Sequence, residues 1–71
     1  MPNRITEEQS VKLAKLLIMM KVPEEESLDI LTDIETITEL KLFLDKLSEK
    51  NFQMTPQEVY QAHLETVIET T

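Results

Sequence analysis

The fold is decided by a four-residue pattern that occurs three times, as Thr6-Glu7-Glu8-Gln9, Thr36-Ile37-Thr38-Glu39 and Thr55-Pro56-Gln57-Glu58. Each copy places a Thr three residues before a Glu or a Gln. In such a capping box the Thr hydroxyl accepts a hydrogen bond from a backbone N–H in the first helical turn, and the Glu or Gln side chain accepts one from the N–H of the Thr. The three boxes therefore predict three helix starts and an all-α fold.

Proline placement and hydrophobic periodicity extend these starts into four helices. Pro23 ends the first helix, because the residue before a proline is displaced from the helical region. Three glutamates follow it, and acids suit the first turn of a second helix. The predicted helices cover about residues 7–21, 24–33, 36–50 and 56–69 of a single domain, 1–71. We predict a compact four-helix bundle with short connections.

The inward face of the second helix is predicted from the spacing of its apolar residues. Leu28, Leu31 and Ile34 recur at steps of three residues, with Ile30 at the edge of the stripe. Apolar residues at such steps share one side of a helix and face the core. We expect these side chains to be buried.

The boundary between the second and third helices is left open by the sequence. An apolar stripe continues through it at three- and four-residue steps, and no Gly or Pro interrupts it. One helix over 24–50, about 40 Å long at 1.5 Å per residue, is the alternative, and would give a three-helix arrangement with a long central helix. Two helices are preferred, because Asp33 and Thr36 both offer caps here and such a length exceeds that of typical globular helices.

The composition excludes several kinds of functional site. The 71 residues include no Cys and one His, which removes thiolate metal sites and histidine clusters. Glycine is also absent, and phosphate-binding loops need it for a close approach of the backbone. We therefore predict no cofactor, no metal and no enzymatic activity. Since no apolar run approaches the roughly 20 residues that cross a bilayer, we expect a cytoplasmic protein without membrane contact.

The single histidine, His63, lies between Val59 and Val67 on the apolar side of the fourth helix. General base catalysis would need a partner nucleophile and an oxyanion site, and the sequence indicates neither. We predict a structural histidine at the edge of the core, with one side in contact with water.

Negative charge is concentrated in the middle of the chain. The net charge is −7, and residues 23–39 carry seven acids and no base. Such a field repels nucleic acid, whose binding depends on Lys and Arg contacts with phosphate, and it attracts basic proteins. The sequence predicts an acidic face that either binds a basic partner or only keeps the protein in solution. Its members are Glu24, Glu25, Glu26, Asp29, Asp33 and Glu35.

The second half of the first helix is apolar on all sides. Residues 16–20 are all apolar, and five consecutive residues at about 100° each go around a helix. A small chain has few helices to surround this segment, and small domains often depend on oligomerisation for stability. We therefore predict a homodimer formed through the first helix. The predicted interface consists of Leu13, Leu16, Leu17, Ile18, Met19 and Met20.

One short segment is similar to a known motif. Glu26-Ser27-Leu28-Asp29 resembles the Asp-Ser-Leu motif of acyl carrier proteins, which are also small, acidic four-helix proteins and carry phosphopantetheine on that serine. The resemblance implies a carrier modified on Ser27. It covers four residues, however, and both the preceding Gly and the long loop after the first helix are missing. We do not assign the chain to that family.

Together these features favour a small acidic, non-enzymatic protein–protein interaction module that self-associates through the first helix. The alternative is an acidic decoy or inhibitor, in which the carboxylates of the second helix replace phosphates in the basic site of a nucleic-acid-binding protein.

Overall fold

The computed structural model describes residues 3–70, which form four α-helices. They are α1 (Glu7–Met19), α2 (Glu24–Asp33), α3 (Ile37–Glu49) and α4 (Pro56–Glu69). The all-α, four-helix prediction is confirmed, and each helix end lies within two residues of its predicted position. The outermost residues of the predicted domain, Met1, Pro2 and Thr71, lie outside the described residues.

All three predicted capping boxes form, at the starts of α1, α3 and α4. In α4 the backbone N–H of Thr55 donates to Oε1 of Glu58 over 2.9 Å, and the N–H of Glu58 donates to Oγ1 of Thr55 over 3.2 Å. Each box satisfies backbone donors that have no partner inside the helix. These local bonds explain why the helix starts can be predicted from sequence alone.

The α4 capping box makes a contribution to stability that depends on pH. The hydrogen bond from the Thr55 backbone lowers the pKa of Glu58 below its ordinary value of 4.5, and the Thr55 side chain acts in the same direction. The folded state therefore binds this proton more weakly than the unfolded chain. The contribution of the Glu58 carboxylate to stability is present at pH values above its ordinary pKa, and it is lost as the pH falls through the lower pKa of the folded state.

We expect the wild type to melt at a higher temperature than a Glu58→Gln variant at neutral pH, and this difference to vanish under acidic conditions. The variant resembles the α1 box, where Gln9 caps without titrating. Thermal unfolding of both proteins over a pH series measures the effect. Two melting curves that stay separated by the same interval at every pH would contradict the role of the Glu58 carboxylate.

α2 and α3 are separate helices, so the alternative of one helix over 24–50 is wrong. The backbone between them is extended, and the N-terminal arm pairs with it. The N–H of Ile5 donates to the carbonyl of Glu35 over 3.0 Å, and the N–H of Ile37 donates to the carbonyl of Asn3 over 2.7 Å. The arm thus satisfies a backbone donor at the start of α3 that has no partner within that helix.

α1 ends two residues before its predicted boundary, because the chain enters the left-handed region at Lys21 (φ 62°). The N–H of Val22 then donates to the carbonyl of Leu17 over 3.0 Å, and that of Lys21 to the carbonyl of Ile18 over 2.9 Å. This is the hydrogen-bond pattern of a Schellman motif, in which the left-handed position is usually a glycine. The sequence has no glycine, and Lys21 takes that position at a cost of about 1 kcal/mol.

α2 occupies the middle of the fold, packing against both α1 and α4, while α4 also packs against α3. Within residues 3–70, the core formed in this way contains nine buried apolar side chains: Leu13, Leu17, Val22, Ile30, Ile34, Phe43, Leu47, Val59 and Ala62. Removing such side chains from water stabilises the fold by about 25 cal/mol per Å² of apolar surface.

The inward stripe of α2 differs from its prediction. Ile30 is fully buried together with Ile34, whereas Leu28 is 56% exposed. Because α2 has neighbours on two sides, its buried face is turned toward the space between α1 and α4. This rotation exposes Leu28 and brings Asp29 and Asp33 into contact with α4.

Candidate functional site

The predicted interface residues of the first helix are divided between the core and the surface. Four of them are buried in the core or packed against it: Leu13, Leu16, Leu17 and Met20. Ile18 and Met19 are 71% and 78% exposed. Leu13 and Leu17 are therefore too buried to meet a second subunit, and only part of the predicted set remains at the surface.

Ile18 lies on one wall of an apolar groove between α1 and α2. Ala14 and Ile18 line it from α1, and Leu28 and Leu31 line it from α2. The groove has a volume of about 470 Å³. Each wall of the groove thus carries one large apolar side chain that is mostly in water, Ile18 on α1 and Leu28 on α2. Contiguous exposed apolar surface of this kind is typical of sites that contact another protein.

The two walls of the groove carry opposite charges. Lys21 and Glu24 line the groove itself, while Lys15 and Glu25 each lie three residues before the exposed apolar residue of their own helix. Residues three apart share a helix face. Within residues 3–70, none of these four side chains forms an ion pair. The α1 wall is therefore basic, the α2 wall is acidic, and both charges are available to a partner.

The six acids predicted to form one face differ in their contacts. The hydroxyl of Tyr60 donates to Oδ2 of Asp29 over 3.2 Å, and Oδ2 of Asp33 lies 2.7 Å from Nε2 of His63. These two carboxylates belong to the contact between α2 and α4. The other four lie at the start of α2 or beyond its end: Glu24, Glu25, Glu26 and Glu35.

His63 is fully buried, which corrects the prediction of an edge in contact with water. Its Nδ1 lies 2.7 Å from the carbonyl oxygen of Tyr60, and its Nε2 lies 2.7 Å from the Asp33 carboxylate. Because a carbonyl oxygen can only accept, Nδ1 is the donor in its contact with Tyr60, and Nε2 faces the Asp33 carboxylate. Both ring nitrogens are engaged within the fold, so this arrangement offers neither of them to a substrate.

Tyr60 makes a second polar link between α2 and α4. The hydrogen bond to Asp29 raises the pKa of Tyr60 above its ordinary value, and burial and the negative charge of Asp29 act in the same direction. The ring of Tyr60 meets that of His63 edge to face, with centroids 4.7 Å apart. The two links thus form one polar cluster. Sequence analysis missed this cluster. The available signal was the spacing of Asp29 and Asp33, four residues apart on α2, and of Tyr60 and His63, three residues apart on α4.

A further polar contact joins α3 to α4 through Lys46. Its Nζ lies 2.5 Å from Glu69 and 3.9 Å from Glu65. The hydrogen bond with Glu69 raises the pKa of Lys46, partly opposed by desolvation. This contact fixes two helices to each other on a face away from the α1–α2 groove.

Ser27, the serine of the carrier-like segment, belongs to the contact between α1 and α2. It is 9% exposed, and its hydroxyl donates to the carbonyl of Val22 over 3.3 Å. A serine that carries a prosthetic group has to reach the surface and a modifying enzyme. The position of Ser27 therefore supports a packing role.

Comparison with known proteins finds no matching family model, no similar curated protein and no similar solved structure. Among residues 3–70, no group of His, Asp and Glu side chains is arranged to hold a metal ion. The helices in this part of the chain are too short or too polar to cross a membrane. A functional proposal therefore depends on the surface of the fold.

Proposed function

We propose that this protein is a small, acidic, non-enzymatic protein–protein interaction module that self-associates through the α1–α2 groove. The observation that carries the proposal is the exposure of Ile18 and Leu28, 71% and 56%, on the two walls of one apolar groove. Contact with a second copy would remove both side chains from water, which stabilises association by about 25 cal/mol per Å² of apolar surface.

The size of the chain supports the same proposal. A domain of this length buries only about 60% of the surface that its unfolded chain exposes. A dimer would add apolar burial that a single copy lacks. The absence of Cys is consistent with a reducing compartment, and we propose a cytoplasmic location. We propose no direct nucleic-acid contact, because a net charge of −7 opposes binding to phosphate.

Solution mass by light scattering coupled to size-exclusion chromatography tests the proposal. The matched variants are Ile18→Asp and Ile68→Asp, which change isoleucines of similar exposure, 71% and 74%, on α1 and α4. We expect the wild type and Ile68→Asp to be dimers and Ile18→Asp to be a monomer, with equal helix content by circular dichroism. A wild-type monomer at high protein concentration, or equal effects of the two variants, would contradict self-association through this groove.

The alternative function, an acidic decoy for a nucleic-acid-binding protein, has less support. It requires a row of free carboxylates along α2, yet Asp29 and Asp33 are hydrogen-bonded to α4. The remaining acids lie near the ends of the helix, three at its start and one beyond its end.

A further inference from the structure

We infer that the dimer pairs α1 of each copy with α2 of the other, around a two-fold axis that runs along the α1–α2 pair. The inference rests on the proposed function, since it specifies how the two copies meet through the same groove. It commits the groove to one occupant, a second copy of this chain.

The two-fold axis that relates two copies meeting through this groove has two limiting orientations. In a closed dimer both copies use the same surface. A two-fold axis along the helices sets α1 opposite α2 of the second copy, and we call this the crossed arrangement. An axis across the helices sets α1 opposite α1 and α2 opposite α2. Both arrangements bury the same apolar side chains, and they differ in which charges meet.

The charges on the groove walls distinguish the two arrangements. Lys15 on α1 and Lys21 just after its end are exposed, as are Glu24 and Glu25 at the start of α2; Lys21 and Glu24 line the groove itself. When like helices face each other, lysines meet lysines and glutamates meet glutamates, which disfavours association. In the crossed arrangement lysines meet glutamates, and symmetry produces this contact twice in each dimer. None of the four charges has an ion-pair partner within residues 3–70.

The apolar residues agree with the crossed arrangement, and the charge count shows which basic residues decide it. Ile18 of one copy would meet Leu28 of the other at the centre, with charged residues around them. Apart from the four groove charges, residues 1–22 carry two basic and two acidic side chains, and residues 23–39 carry five acids and no base. The net positive charge of the first segment is therefore that of Lys15 and Lys21, which makes these two lysines the residues to test.

Complementary charge reversal tests the inference at low ionic strength, where such interactions are least screened. One variant is Lys15→Glu/Lys21→Glu, and the other is Glu24→Lys/Glu25→Lys. Alone, each brings like charges together in the crossed dimer, and we expect its dimer dissociation constant to rise by roughly tenfold or more. Mixed in equal amounts, they restore opposite charges at both contacts, and we expect a heterodimer of about wild-type affinity. The control, Lys41→Glu/Lys50→Glu, reverses two exposed lysines elsewhere and should leave dimerisation unchanged.

A second measurement does not depend on charge. The chain has no cysteine, so single substitutions can report which positions are close. In the crossed dimer, a Lys15→Cys copy should form a disulfide with a Glu25→Cys copy in preference to a second Lys15→Cys copy. Preferential disulfides between two Lys15→Cys copies would overturn the crossed arrangement.

The remaining outcomes separate this inference from the proposed function. Suppose that Ile18→Asp abolishes dimerisation but neither charge-reversed pair affects it. This result would overturn the crossed arrangement and leave self-association standing. A mixture of the two charge-reversed variants that associates no better than either variant alone would have the same meaning. A tighter dimer for one reversed pair alone would also overturn the crossed arrangement. A wild-type monomer would overturn the proposed function and this inference together.

Discussion

Replacing Leu17 by Glu is expected to leave the chain unfolded at room temperature, whereas the same substitution at Ile18 should leave the fold intact. The two residues are adjacent, yet Leu17 is fully buried and Ile18 is 71% exposed. A buried polar group without a partner costs several kcal/mol, about 2–7 for a neutral one and more for a charge. The whole stability of a chain of this length is only about 4–10 kcal/mol, so this single change removes most or all of it.

Circular dichroism and urea titration measure the difference between the neighbouring variants. A milder change, Leu17→Ala, is expected to lower the free energy of unfolding by about 2–5 kcal/mol and keeps the comparison quantitative if the Glu variant cannot be purified. A folded Leu17→Glu protein with the wild-type denaturant midpoint would mean that α1 does not pack on this face. Unfolding of both Glu variants would mean that Ile18 is also part of the core.

The helices could be predicted because the interactions that define them are local. Each capping box lies within four residues, as with Thr55 and Glu58, and Pro23 separates the first two helices regardless of the rest of the fold. The end of α1 was less predictable. It depends on a left-handed Lys21, and lysine gives no local signal for that conformation.

The candidate site could be predicted only in part, because burial depends on which helices are neighbours. An apolar run around α1 does not indicate which side faces the core, so Leu17 and Ile18 are equivalent in sequence although they differ in exposure. The three-residue spacing of the apolar residues in α2 likewise assigned Leu28 to the inside of that helix, although Leu28 is at the surface. Only the packing of α2 between α1 and α4 separates the surface residues of the groove from the core residues beside them.

Replacing His63 by Ala is expected to lower the free energy of unfolding by about 3 kcal/mol, through a buried cavity and the loss of partners for Asp33 and the Tyr60 carbonyl. The matched change, Asp33→Asn, affects a side chain that is 43% exposed, and we expect it to cost about 1 kcal/mol. Urea titration of both variants and of the double variant measures the coupling between the residues. Since Nε2 of His63 lies 2.7 Å from the Asp33 carboxylate, we expect a coupling energy of about 1–2 kcal/mol.

The same pair decides how much of α2 is available to a partner. A coupled pair means that Asp33 serves to join α2 to α4, and the ring ¹⁵N spectrum should then show a hydrogen on Nδ1 facing the Tyr60 carbonyl. If the effects of His63→Ala and Asp33→Asn simply add, the residues are energetically independent. Asp33 would then be a free surface carboxylate, and the argument against the decoy function would lose one of its two supporting contacts. Coupling instead leaves the unpaired acids at the ends of α2, where Glu24 and Glu25 adjoin the α1–α2 groove.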